Sequence, residues 1–238
     1  MGFQFDVGFF VYEIGIGIKY IPIVLLLSVV PLILGLLFGS GIAIIRLFKV
    51  RVLAQIFTVI VVFLRGVPLL LQLTILYLMV TLSFDSFAKT VGLAMTAKDI
   101  SYTLVAVVGL SINATVYLSE VVRTALQSVN SGQYEAAYSV GMTSWQMLKR
   151  IVFPQAMPVA IPLIGSNFIE LIKGSAIASL ISVVELINGT LFEANGNYKF
   201  LEAYLAAAVI YWTLCIMIER MVAFLEIKVG VDGKGGIV

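Results

Sequence analysis

The chain has no histidine, one cysteine (Cys215) and few charges, with only 12% of its 238 residues Asp, Glu, Lys or Arg. Each shortage removes a class of chemistry. Without imidazole the commonest metal ligand is missing, and a lone cysteine cannot form an internal disulfide, so a zinc or redox enzyme is not expected. The net charge of +2 is small, and nothing points to a nucleic-acid partner. A GxxxxGK[ST] phosphate cradle is also missing, so ATP is not expected to bind here. What remains is apolar: 61% of residues are hydrophobic and the mean hydropathy is +1.09. A soluble helical core would carry charged faces that this chain lacks. The composition is that of an all-α integral membrane protein.

No linker divides residues 1–238, which read as one membrane domain. The start lacks the basic stretch, short apolar run and small-residue cleavage site of a signal peptide, so the first apolar segment is expected to remain. Apolar runs cover Tyr20–Ile45, Val52–Phe84, Ile100–Ser119, Ile151–Val184 and Ala203–Ile218. Helices of these lengths, the last extended by a few flanking residues, cross roughly 30 Å of hydrocarbon. Five crossings follow. Arg46, Lys49, Arg51, Arg123, Lys149, Arg150, Arg220, Lys228 and Lys234 gather at one set of ends. Lys19, Lys89, Lys98 and Lys199, offset by Asp6, Glu13, Asp85, Asp99 and Glu193, fall at the other. The basic excess marks the cytoplasmic side, which puts the N-terminus outside and the C-terminus inside.

Polar residues inside the runs are the candidate site. Arg65-Gly66-Val67-Pro68 is expected to break the second run, and Arg65 lies about 18 Å along it from Leu53, near the midplane. A charge at that depth either serves a ligand or holds a structural ion pair. Asn113, Tyr117 and Glu120 form a stripe on the third run. On the fourth, Asn167, Glu170 and Lys173 recur every three residues before Gly174-Ser175. Glu170 and Lys173 either neutralise each other or line a polar passage offering both signs of charge to a zwitterionic solute. Pro154, Pro158 and Pro162 are expected to make the start of this run irregular.

Between the third and fourth runs lies a polar island, Tyr134 to Arg150. Asn130/Gln133 and Thr143/Gln146 have capping-box spacing, and Gly141 can end the first helix in a left-handed turn. Two short helices at an angle are expected, either docking a cytoplasmic partner or resting on lipid headgroups.

These segments carry motifs. Glu135-Ala136-Ala137, Gly141, Ile151 and Phe153-Pro154 follow the pattern EAA, three residues, G, nine residues, I, one residue, LP, with Phe in place of Leu. Arg65-Gly66-Val67-Pro68-Leu69-Leu70-Leu71-Gln72-Leu73 follows RG(T/I/V)PLLxQL, and Tyr117, Glu120, Arg123 and Gly132-Gln133 add further matches. Over nearly its whole length the chain resembles the membrane permease subunit of bacterial ABC importers for polar amino acids. It departs from that pattern at Lys173-Gly174-Ser175-Ala176, where Asp or Asn and then Thr would follow the lysine.

The resemblance implies a type I ABC importer-like permease in the bacterial cytoplasmic membrane, with residues 130–154 as the cytoplasmic coupling loop. It implies a non-catalytic subunit in a permease dimer, served by two ABC ATPase subunits that hold ATP and magnesium and by an external solute-binding protein. Glu135, Ala136, Ala137, Gly141 and Pro154 would couple to the ATPases. The substrate path is expected along Arg65, Asn113, Tyr117, Glu120, Asn167, Glu170, Lys173 and Ser175. An ion-coupled secondary amino-acid carrier and a non-transporting membrane scaffold are the competing readings.

Overall fold

The computed structural model describes residues 4–92, 94 and 96–229; Lys234 and the side chain of Lys98, both used above to orient the chain, lie outside the description. Among the described residues every regular element is helical. In chain order these are α1 (Val7–Ile18), α2 (Ile21–Leu47), α3 (Arg51–Gly66), α4 (Leu69–Val91), α5 (Tyr102–Gln127), α6 (Ser131–Ser139), α7 (Ser144–Met147), α8 (Phe153–Ser175), α9 (Leu186–Asn197) and α10 (Phe200–Val229). A π turn, Leu148–Val152, joins α7 to α8, and a 3₁₀ turn, Ala176–Ile181, extends α8.

Five helical stretches are long and apolar enough to cross a membrane: α2, α4, α5, Ser144–Ile181 around α8, and α10. The expected count holds, but the ends move. The third span runs eight residues past Ser119, and the last starts at Phe200 and continues to Val229. These extensions mix charged and apolar residues, and helical hydrogen bonding carries them beyond the uncharged limit read from composition.

The centre of the bundle is the long contact between α2 and α5. Small residues allow it. A Cβ added to Gly39 would lie 2.9 Å from the carbonyl oxygen of Thr115 and from the nitrogen of Ser119, too close for any side chain. Leu27, Ala43, Leu110 and Leu118 are buried in the cores that surround this contact.

The second run divides into α3 and α4 at Val67-Pro68, as its glycine and proline demand. Both helices follow α5. Arg46 at the end of α2 donates to Thr58 on α3 at 3.2 Å, Asn113 in the middle of α5 donates to Gln72 on α4 at 3.3 Å, and Tyr77 stacks edge-on against Tyr102 at the start of α5. The break therefore falls part-way along the bundle. Arg65, the last charged residue before it, is level with Tyr117.

Two elements were not foreseen. The apolar α1 and the mixed α9 pack with each other and with α10. Glu185, fully buried, caps α9 by accepting from the backbone N–H groups of Ile187 and Asn188 at 2.9 and 3.2 Å, and accepts from the Tyr211 hydroxyl at 2.8 Å. Burial pushes its carboxyl above the usual range, against the opposing pull of those donors.

The segment after α5 corrects the sequence reading in three ways. Asn130 caps α6 through Gly132 N–H at 2.8 Å without the reciprocal bond from Gln133, so only half of the expected box forms. Thr143 and Gln146 do form both bonds of theirs. The helix begun there is not a separate short element, because it runs through the π turn into α8. The prolines explain the register change. Pro154 falls in the first turn of α8, where a missing N–H is tolerated, and the shift to a wider turn lies just ahead of it. Pro158 and Pro162 remain inside α8, so the irregularity precedes them.

Candidate functional site

A cavity of about 550 Å³ opens where α4 begins and α8 ends. It is lined by Leu69 from α4, by Asn113, Ala114 and Tyr117 from α5, by Asn167, Glu170, Leu171, Lys173 and Gly174 from α8, and by Ile177 beyond it. Five of the polar residues singled out from sequence meet here. Asn167 donates to the carbonyl oxygen of Leu163 at 3.0 Å, which leaves its amide oxygen to accept. Glu170 and Lys173 approach to 3.5 Å, yet their side chains are 74% and 57% exposed. Such a pair is loosely held and open to a third partner.

The broken helix frames one wall. Pro68 has no N–H to offer the carbonyl of Leu64, four residues before it. The side-chain amide of Gln72 supplies that bond at 2.6 Å and a second to the Val67 carbonyl at 2.8 Å, while its oxygen accepts from Asn113. Gln72 thus joins the break to the cavity. Gln72 belongs to the Arg65–Leu73 motif but not to the expected site residues. The usable signal is an amide side chain four residues after a proline in a largely apolar helix. Arg65 is not among the lining residues; its guanidinium lies 5.7 Å from the centre of the Tyr117 ring, a cation–π distance.

Glu120 and Ser175 lie apart from the cavity. Glu120 accepts from Arg46 through one oxygen and from Arg123 through the other, at 2.7 Å for the latter. Its side chain is 16% exposed and that of Arg46 only 10%. Ser175 is fully buried, and its hydroxyl donates to the carbonyl of Ile172 at 2.7 Å. Among the described residues no group of three or more Asp, Glu, His or Cys could hold a metal ion.

The polar island makes a projecting surface at the end of α2 and α5. Ala137 and Met147 are buried with Ala43, Leu126 and Val152, and the Tyr134 hydroxyl donates to the Leu126 carbonyl at 2.7 Å. Gly141 turns the chain with φ of 79°, a conformation costly for any residue with a Cβ. Glu135 and Ala136 face outward, together with the apolar side chains of Val140 and Trp145.

Residues 16–231 match the family described as the binding-protein-dependent transport system inner membrane component. The chain belongs to that family. A probable amino-acid permease protein of Bacillus subtilis (strain 168), YxeN, is 38% identical over 200 residues, covering 84% of this chain and 85% of the relative. The L-cystine transport system permease protein TcyB of the same organism is 36% identical over 201 residues, with 84% and 80% covered. The crystal structure of an amino acid ABC transporter with histidines superposes with a TM-score of 0.79 at 26% identity, over 95% of this chain and all of that one. An inward-facing structure of the MetNI methionine ABC transporter shares the fold, with a TM-score of 0.71 at 18% identity.

The protein is a transmembrane permease subunit of an ABC importer in the bacterial inner membrane, and it is not itself an enzyme. Membership in a binding-protein-dependent family leaves the ion-coupled carrier without support.

Proposed function

We propose that this subunit carries a polar, zwitterionic amino acid and that its solute site is the cavity between the start of α4 and the end of α8. The observation that carries the proposal is the pairing of opposite charges with unspent hydrogen-bonding groups on one small cavity. Lys173 would meet the α-carboxylate, Glu170 the ammonium, and Asn113, Asn167 and Tyr117 would orient the molecule. A volume of about 550 Å³ lies within the roughly 300–1,000 Å³ of small-molecule pockets. Arg65, stacked on Tyr117, would act beside the site. Glu120 would hold Arg46 and Arg123, and Ser175 would hold the backbone at the end of α8. The likeness to permeases named for amino acids supports the solute class.

In this reading the chain pairs with a second copy of itself, two ATPase subunits bind the residues 130–154 loop, and an external binding protein delivers the solute. ATP and magnesium belong to the ATPases. The exposed face around Glu135, Ala136, Val140 and Trp145 would seat in the ATPase, with Gly141 and Pro154 setting the angle of the loop to α8. The basic excess at that end of the bundle supports a cytoplasmic loop and C-terminus and an external N-terminus.

The test is uptake of labelled L-glutamine, L-arginine and L-cystine by complexes purified through a tagged copy of this chain and reconstituted with their binding protein. ATP-dependent uptake of at least one is expected. The Gly141→Val variant is expected to insert normally but to lose ATPase co-purification or solute-stimulated hydrolysis. Uptake that proceeds without ATP, or a Gly141→Val complex that hydrolyses ATP and imports normally, would overturn the assignment.

A further inference from the structure

A second cavity, about 760 Å³ in volume, opens beside the start of α3 and is lined in part by Arg46, Lys49, Arg51, Gln55 and Thr58. None of the site residues discussed above lines it. It has a relation to the solute cavity that helix periodicity makes visible. Apart from its terminal glycine, every non-hydrophobic residue of α3 lies on one stripe: Arg51, Gln55, Thr58 and Arg65, spaced by four, three and seven residues. At 3.6 residues per turn these fall within about 80° of the helix circumference. The lower three line the second cavity, and the upper one stacks on Tyr117, which lines the first. On α5 the matching face carries Asn113, Tyr117 and Glu120, at intervals of four and three.

Two polar stripes therefore join the two cavities. Two contacts close the way between them: the Arg65 guanidinium over Tyr117, and Glu120 gripped by Arg46 and Arg123, with Arg46 also donating to Thr58. The opposite face of α3 carries Leu53, Ile56, Ile60 and Phe63, all exposed and apolar, while Val52 and Val59 border the second cavity. That division of one helix between a polar and an apolar flank is what a pathway wall facing lipid on its other side requires.

We propose that the second cavity is the release vestibule for the solute, a subsite for its carboxylate, and that the two contacts are the inner closures of the path. The proposal rests on the solute reading of the first cavity. Arg46, Lys49 and Arg51 supply three positive charges. Glu120, the acid that Arg46 holds, is already shared between two arginines. A carboxylate leaving Lys173 would meet Arg65 and then these cations in turn, so its charge is never left without a partner in a low-dielectric passage.

The test uses single cysteines in a Cys215→Ser background, in reconstituted complexes. Gln55→Cys reports the vestibule, Ile56→Cys the apolar flank of α3, and Ser139→Cys the exposed surface of α6. Each is treated with anionic (sulfonate) and cationic (trimethylammonium) methanethiosulfonates, neither of which crosses the bilayer. The anion-to-cation rate ratio at Gln55→Cys is expected to exceed that at Ser139→Cys about tenfold or more, because the cationic walls concentrate the anion. Modification at Gln55→Cys is expected to slow when ATP and vanadate trap the ATPases closed, and Ile56→Cys is expected to stay unreactive. Equal ratios at Gln55→Cys and Ser139→Cys, rates indifferent to trapping, or a Gln55→Cys variant as inert as Ile56→Cys because lipid or a second copy covers the site, would each overturn the vestibule. Uptake by the Cys215→Ser parent separates the two readings. Absent uptake removes the solute assignment, whereas ATP-driven uptake with unresponsive Gln55→Cys labelling removes only the vestibule.

Discussion

Glu120 and Glu170 are both carboxylates on membrane-crossing helices with a basic residue three positions away, yet the fold treats them in opposite ways. Glu120 is largely buried, and arginines from α2 and α5 take both of its oxygens. Glu170 faces an open cavity and meets only Lys173, at 3.5 Å. The first arrangement uses both carboxylate oxygens and ties two helices together at one level of the bundle. The second leaves both charges underused and able to accept a guest. A polar stripe along a helix thus has two destinies, and the partner brought by another helix decides between them.

The sharpest way to break this comparison is Glu120→Ala. It strands Arg46, which is nearly buried, and removing one partner of a buried pair costs about 3–5 kcal/mol. Thermal unfolding in detergent and the yield of assembled complex are expected to fall accordingly. The double variant Arg46→Met with Glu120→Met, which removes the stranded charge, is expected to recover most of the loss. A double variant as unstable as Glu120→Ala would show that the cluster's charge balance is not what stabilises this end of the bundle.

Lys173→Gln should act on the other side of the comparison. An exposed pair contributes roughly 0–1 kcal/mol to stability, so unfolding should hardly change. Solute binding is different. Losing a charged hydrogen bond of about 1.5–3 kcal/mol corresponds to a roughly 10- to 100-fold rise in the half-saturating solute concentration. Uptake measured over a range of concentrations, normalised to assembled complex, reads this directly. Unchanged half-saturation would leave Lys173 as only a partner for Glu170.

Much of this contrast was legible in the sequence, and some was not. Helix type, the number of crossings, the break at Pro68 and the shared face of Asn167, Glu170 and Lys173 follow from composition, backbone chemistry and the 3.6-residue period. All of these are local. Periodicity also put Glu120 on the same face as Asn113 and Tyr117, but it is silent about Arg46, which stands 74 residues earlier in the chain and claims that carboxylate. Ser175 fails for the same reason on a shorter scale, because a serine in a helix can spend its hydroxyl on its own backbone. The short α1 and α9 escaped because neither is long enough to read as a crossing, and their packing depends on α10. The run from Thr143 into α8 reads as two pieces because the apolar run begins only at Ile151, after Lys149 and Arg150, whereas a π turn carries the helix across that boundary.

Glu13 extends the comparison to a carboxylate that no described residue partners. It lies on α1, fully buried, and among the described residues neither oxygen has a hydrogen-bond partner. Burial raises its pKa above the ordinary 4.5, and the nearby Glu193 on α9 adds to the rise. The lysine at this end of the molecule does not relieve it, since Lys199 is engaged by Asp6. The sign follows from proton binding. The folded state holds the proton more tightly than the unfolded chain, so this group favours folding at low pH, and its contribution is lost as pH rises from about 4.5 through the raised value. Thermal unfolding of the parent over that range should decline relative to the Glu13→Gln variant, which keeps the shape and cannot ionise. The effect should be the smallest of the three, because a carboxyl can avoid its penalty by staying protonated, an escape that the stranded Arg46 lacks. Parallel pH profiles for the parent and Glu13→Gln would mean that Glu13 is solvated or paired in the membrane, and that its burial against α9 and α10 does not set its charge.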